Sequence, residues 1–227
     1  MADAPTATGT PVAAGPAGGF WKRLKERLRP GPIDSVDALR TFLAERAALI
    51  AQKCAIDYCR GKTGLASYAL FTEKPFLEAL DRCRWDTFAA VLGDLIIVTE
   101  GKLRPHVSPG QHPRLCEAIA GLYPDILATL PPPAHRAEGW AEAQASFLLR
   151  FRDASLGAPR QALDVADHSA KRLFDTLPIH TRYRELDEEV VYGSVRFRMI
   201  AVSQELQGRL RAAELARRLV GDQNVTL

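Results

Sequence analysis

The stretch from Thr72 to Val98 restricts the fold more than any other part of the chain. Thr72-Glu73-Lys74-Pro75 has the form of a helix start, because proline is tolerated in a first turn, where its missing amide has no partner. Beyond it, Phe76, Leu80, Cys83, Val91 and Val98 fall on one side of a helix, and Trp85, Phe88, Leu92 and Leu95 fill another. A helix that is apolar on nearly all sides needs neighbours all round, so this segment is expected at the centre of a bundle. Its longest apolar run, FAAVLGDLIIV at 88–98, contains Asp94 and is too short to span a bilayer.

The flanking segments supply those neighbours. From Asp34 or Ser35 as N-cap, Val36, Leu39, Leu43, Ala47, Ile50, Cys54 and Tyr58 recur at helical spacing until Gly61 and Gly64. Residues 101–113, with their Gly, Pro and His, read as a loop. Helices are expected over about 114–129, closed by Pro131-Pro132-Pro133, then about 135–155, about 160–176 and about 180–220. The last carries two apolar rows, one of Leu186, Val190, Phe197 and Ile200 and one of Val195, Met199, Val202, Leu206 and Leu210, interrupted by Gly193 and Gly208. No strand alternation or internal repeat competes with this pattern. The expected fold is an all-α bundle of five or six main helices forming a single domain over 33–227.

The formal net charge of +3 is not spread over that domain. Residues 1–33 hold Lys22, Arg23, Lys25, Arg27 and Arg29 against Asp3 and Glu26, leaving equal numbers of acidic and basic groups in 34–227. A neutral body argues against a surface that coats nucleic acid, whose affinity comes from many phosphate contacts. Residues 1–19 are Ala, Gly, Pro and Thr with little to bury and are expected to be a disordered tail. They lack the basic and apolar regions of a secretory signal. Pro30-Gly31-Pro32 sets the basic segment apart from the body as a linker.

If residues 20–29 form a helix, Phe20, Trp21, Leu24 and Leu28 gather on one face and Lys22, Arg23, Lys25, Arg27 and Arg29 cover the rest. That is the pattern of an interfacial helix, with apolar groups for an acyl boundary and cations for anionic headgroups. So short a helix is not stable alone in water, so it needs a membrane surface, an acidic protein, or the protein's own bundle. The C-terminal run RLRAAELARRLVG is a second basic amphipathic end, which also suits a helix dipole.

Catalytic constellations are thin. There is no GxSxG elbow, and Ser194 in Tyr192-Gly193-Ser194 reads as a small helix residue. Paired Glu-x-x-His motifs are absent, and His135 with Glu138, and Asp164 with His168, read as solvated faces. His106 and His112 share a loop with no acidic partner nearby in sequence, so no metal and no cofactor is expected. Cys54, Cys59, Cys83 and Cys116 form no CxxC pair and read as small buried residues of a reducing cytoplasm. Asp94 stands out, because a carboxylate in an apolar helix must be paired or protonated. The expected answer is a polar cluster of Asp94, Arg84, Tyr192 and Arg196 able to hold a small ligand, set against a purely structural buried pair.

The stretches IDSVDALRTFLAERAALIAQK at 33–53 and LFTEKPFLEALDRCRWDTFAAVLGDL at 70–95 resemble an uncharacterised bacterial all-helical family, some members of which carry an esterase label. The resemblance covers the N-terminal half of the body, implies an all-helical fold and brings no catalytic motif with it. The reading is therefore a cytoplasmic, non-enzymatic helical protein, peripheral at the inner membrane or bound to an acidic partner through its basic ends. The alternative is a small-molecule binder or esterase-like hydrolase using the Asp94 cluster. Self-association is left open.

Overall fold

The computed structural model describes residues 31–221. The tail expected over 1–19 and the helix expected over 20–29 lie outside the described residues. Helix α1, Val36–Thr63, begins where the Ser35 hydroxyl accepts the Ala38 amide at 3.2 Å and ends at Gly64, whose φ of 51° favours glycine. A 3-10 turn and the short α2, Ser67–Leu70, lead into α3, Lys74–Leu103, which has Pro75 in its first turn. Helices α4, His112–Ala128, α5, Ala141–Leu156, and α6, Ala162–Thr176, follow. The short α7, Thr181–Arg184, precedes α8, Glu188–Arg209, and α9, Ala212–Leu219. Six of these are long, and the architecture is an all-α bundle without a strand among the described residues.

Helix α3 is the axis. Every residue from Trp85 to Gly101 is buried, and α1, α4, α5 and α6 pack around it, with α8 on α6 and α1. The core is dense in large groups such as Trp85, Phe88, Leu92 and Leu95, as the all-round apolar pattern requires. Aromatic stacking of Tyr123 on Phe147, with centroids 4.2 Å apart, ties α4 to α5.

Three boundaries differ from expectation. Helix α3 runs through Gly101 instead of stopping there, because that glycine lets the Pro159–Arg160 backbone come close: a Cβ would meet the Arg160 carbonyl oxygen at 3.2 Å. The helix expected over 135–155 is a 3-10 turn, Ala134–Arg136, and then α5, separated at Gly139 with φ of 85°. The long last helix breaks into α7, α8 and α9. Neither Gly193 nor Gly208 makes the break between α8 and α9. Ile33 makes it, by donating to the Arg209 carbonyl at 2.8 Å and accepting from the Arg211 amide at 2.9 Å. This two-bond ladder pins the start of the body to the end of α8.

Two glycines separate packing from propensity. Gly101→Ala should cost about 1–3 kcal/mol, because the Cβ meets backbone and not a movable side chain. Gly121→Ala, whose Cβ would meet nothing within 4 Å, should stabilise by about 0.5–1 kcal/mol. Urea unfolding of the two variants checks both signs.

Candidate functional site

Asp94 is fully buried, and its partner is Arg150 of α5, whose guanidinium donates to Oδ1 in a very short contact. Oδ2 accepts the Ser169 amide of α6 at 3.2 Å. Burial outweighs both contacts and raises the carboxyl to about 6. About two turns earlier, Asp86 accepts from Arg136 at 2.9 Å and contacts His135 Nε2 at 3.1 Å. His135 is thus half-buried on the core, which corrects its expected place on a solvated face. His168, half-buried beside Arg150 and Arg172, falls to about 4 through burial and those two cations, and is neutral at physiological pH.

The expected cluster of Asp94, Arg84, Tyr192 and Arg196 is not assembled. Arg84 pairs with Asp81 of its own helix at 3.8 Å. Arg196 lies over the Tyr192 ring at 5.4 Å and pairs with Asp167 at 2.7 Å and Glu189 at 3.3 Å on the outer side of α6 and α8. Helix α6 stands between these residues and Asp94, because it packs on α3 and α8 alike. Arg150 was the missing partner, and its signal was a lone cation within the buried row Phe147, Phe151 and Ala154 of α5. The cavity next to this pair is about 30 Å³, and Asp94 lines neither it nor the shallower depression of about 260 Å³ on the other side of Arg150 and His168. The smaller volume suits water and not a small molecule.

The larger openings lie along α1 and α8, which run antiparallel. Polar rungs join them: Arg46 to Glu205 at 2.7 and 2.5 Å, Arg198 to Asp57 at 2.9 Å, Ser194 Oγ to Cys54 Sγ at 3.6 Å, and Tyr58 and Lys62 to Asp187 at 2.9 and 2.6 Å. Beside the rungs are two cavities. One, of about 330 Å³, is walled by Leu49, Ile50, Phe197, Ala201 and Val202; the other, of about 370 Å³, by Cys54, Leu173, Val190 and Val191. In α8, Val195, Met199, Val202 and Leu206 are core, but Val190 and Phe197 are 65% and 72% exposed, and Leu186 just before the helix is 92% exposed. At the groove's end Arg209 donates to Glu205 at 2.6 Å and to the Gly31 carbonyl at 2.7 Å. The described residues therefore begin, at Gly31, close to the 330 Å³ cavity that Glu205 lines.

A third cluster corrects the reading of His112 as lacking an acidic partner. Its Nε2 is 2.8 Å from Glu100 Oε1 and 3.2 Å from Cys116 Sγ. Among the described residues no helix is long and apolar enough to cross a membrane. No protein-family model, curated protein or solved structure matches the chain.

The raised carboxyl gives a signed prediction. Unfolded, Asp94 titrates near 3.8, so the native state holds the extra proton between about 4 and 6, and its contribution to stability is lost as pH rises through that window. The stability advantage of wild type over Asp94→Asn should be largest near pH 4 and shrink by on the order of 1–3 kcal/mol by pH 7. Denaturant unfolding of both proteins across this range reads it; an advantage that grows with pH would mean that Arg150 outweighs burial.

Proposed function

We propose that the protein is a non-enzymatic interaction module in which the α1/α8 groove and the basic segment 20–29 are counterparts. The observation that carries this reading is the exposure of Val190 and Phe197 of α8, which line cavities of about 370 and 330 Å³. A groove with apolar walls and charged rims is the receiving half of helix-in-groove recognition. Phe20, Trp21, Leu24 and Leu28 supply the inserting half, and their tether enters at the groove's end through Gly31. A helix of this length covers about 15 Å, close to the distance along α8 from Arg209 back to Phe197.

The energetics favour release as well as docking. Burying four large apolar side chains stabilises by about 1.5–3 kcal/mol each, while fixing the backbone costs about 1–2 kcal/mol per residue. For a ten-residue segment the backbone cost is the larger of the two, so docking is weak and readily reversed. Cations near an anionic membrane surface add about 1 kcal/mol each, enough to draw the segment out of the groove. The protein then meets an anionic surface or an acidic partner through residues 20–29 while its neutral body stays in water.

Flotation on phosphatidylserine-containing vesicles tests both halves. The full chain should float weakly and lose binding in high salt, a chain beginning at Pro32 should not float, and Phe197→Glu should float several-fold more by emptying the groove. Equal flotation of the full and shortened chains would sink the surface reading, and an unchanged Phe197→Glu would sink the groove.

A further inference from the structure

We propose that Glu100, His112 and Cys116 form a binding site for a zinc-like divalent metal ion at the junction of α3 and α4. Glu100 is the last residue but one of the buried stretch of α3 and is 2% exposed. His112 opens α4 and Cys116 lies one turn further on, a spacing that puts both on one face. The donor atoms Oε1, Nε2 and Sγ all lie within 4.8 Å of one another.

Hydrogen bonding alone fits this arrangement poorly. The carboxylate oxygen and the sulfur both face the same imidazole nitrogen, at 2.8 and 3.2 Å, and that nitrogen can carry one proton only. A relay from thiol through imidazole to carboxylate would need both ring nitrogens, so a nucleophilic triad is not what the geometry builds. A metal ion satisfies all three lone pairs together. Tetrahedral zinc would hold neighbouring donors about 3.4–3.6 Å apart, so the imidazole nitrogen need draw back from each of the other two donors by only about half an ångström.

Arg104 supports the carboxylate, donating from Nε at 2.8 Å and Nη2 at 2.7 Å, the orienting contact that metal-bound carboxylates commonly have. Zinc and Arg104 against a Glu100 carboxylate and a Cys116 thiolate leave one net positive charge. Three protein ligands leave a fourth position for water. One thiolate, one imidazole and one carboxylate suit zinc better than calcium or magnesium, which favour oxygen donors alone.

Titration of the full-length protein with Co²⁺, followed by Zn²⁺ displacement, is the test. Wild type should bind one equivalent with thiolate-to-cobalt absorption, and Zn²⁺ should abolish that absorption. Cys116→Ser and His112→Gln should each weaken binding at least about ten-fold, and Cys54→Ser should leave it unchanged. Far-UV circular dichroism establishes that the variants are folded, and Zn²⁺ should raise the melting temperature of wild type but not of Cys116→Ser. Absence of binding at micromolar metal in wild type, or thiolate-to-cobalt absorption that survives Cys116→Ser, would overturn the site.

Discussion

The buried carboxylate of Asp94 sets the terms for the bundle. It sits in the middle of a helix that has no other way to be stable than to be surrounded, so each helix that covers α3 must bring a donor or stay clear. Arg150 and the Ser169 amide are those donors, one from α5 and one from α6. Apolar contacts alone would tolerate these helices at several rotations about α3; a charge with two fixed partners does not, because a slip leaves a charge unpaired in the core. Asp86 repeats the device with Arg136 and His135 near the other end of the buried stretch. Burial still leaves Asp94 with a raised pKa, so the pair orients the helices at a cost in stability.

The side of the bundle away from that pair is built differently. Helices α1 and α8 are held at rungs of opposite charge, and the spaces beside the rungs are open and apolar. The Ile33 ladder that splits α8 from α9 also fixes where the N-terminal segment leaves the body. The same two hydrogen bonds therefore decide a helix boundary and hold the first described residues, Gly31 to Ile33, at the end of the apolar groove. The local sequence supplies both partners, a neutral body with an unsatisfied apolar row and a charged segment with one of its own.

The fold was legible because periodicity reports burial directly: the all-round apolar pattern of 85–98 became the central helix, and Ser35, Gly64 and Pro75 marked ends as their backbone chemistry dictates. What failed was chemistry that depends on distance in space. Gly193 and Gly208 look like breaks but lie inside α8, while the real break at Leu210 comes from a partner 177 residues away. Asp94 is buried in its apolar helix, but its partners lie on α5 and α6, and helical spacing relates residues of one helix and cannot rank helices against each other. His112 seemed partnerless for the same reason: Glu100 is twelve residues back, across a loop that folds it underneath. The exposed row of α8 was visible as apolar, and only the packing of α6 and α1 shows that it is left uncovered.

The central claim is that the α1/α8 groove holds residues 20–29 of its own chain. Hydrogen exchange compared between the full chain and a chain beginning at Pro32 tests it most directly, since docking slows exchange in the elements it covers. The account predicts slower exchange in the full chain over Leu49–Asp57 and Ser194–Glu205, with α4 and α5 unchanged. Identical exchange over the groove in the two chains would contradict it.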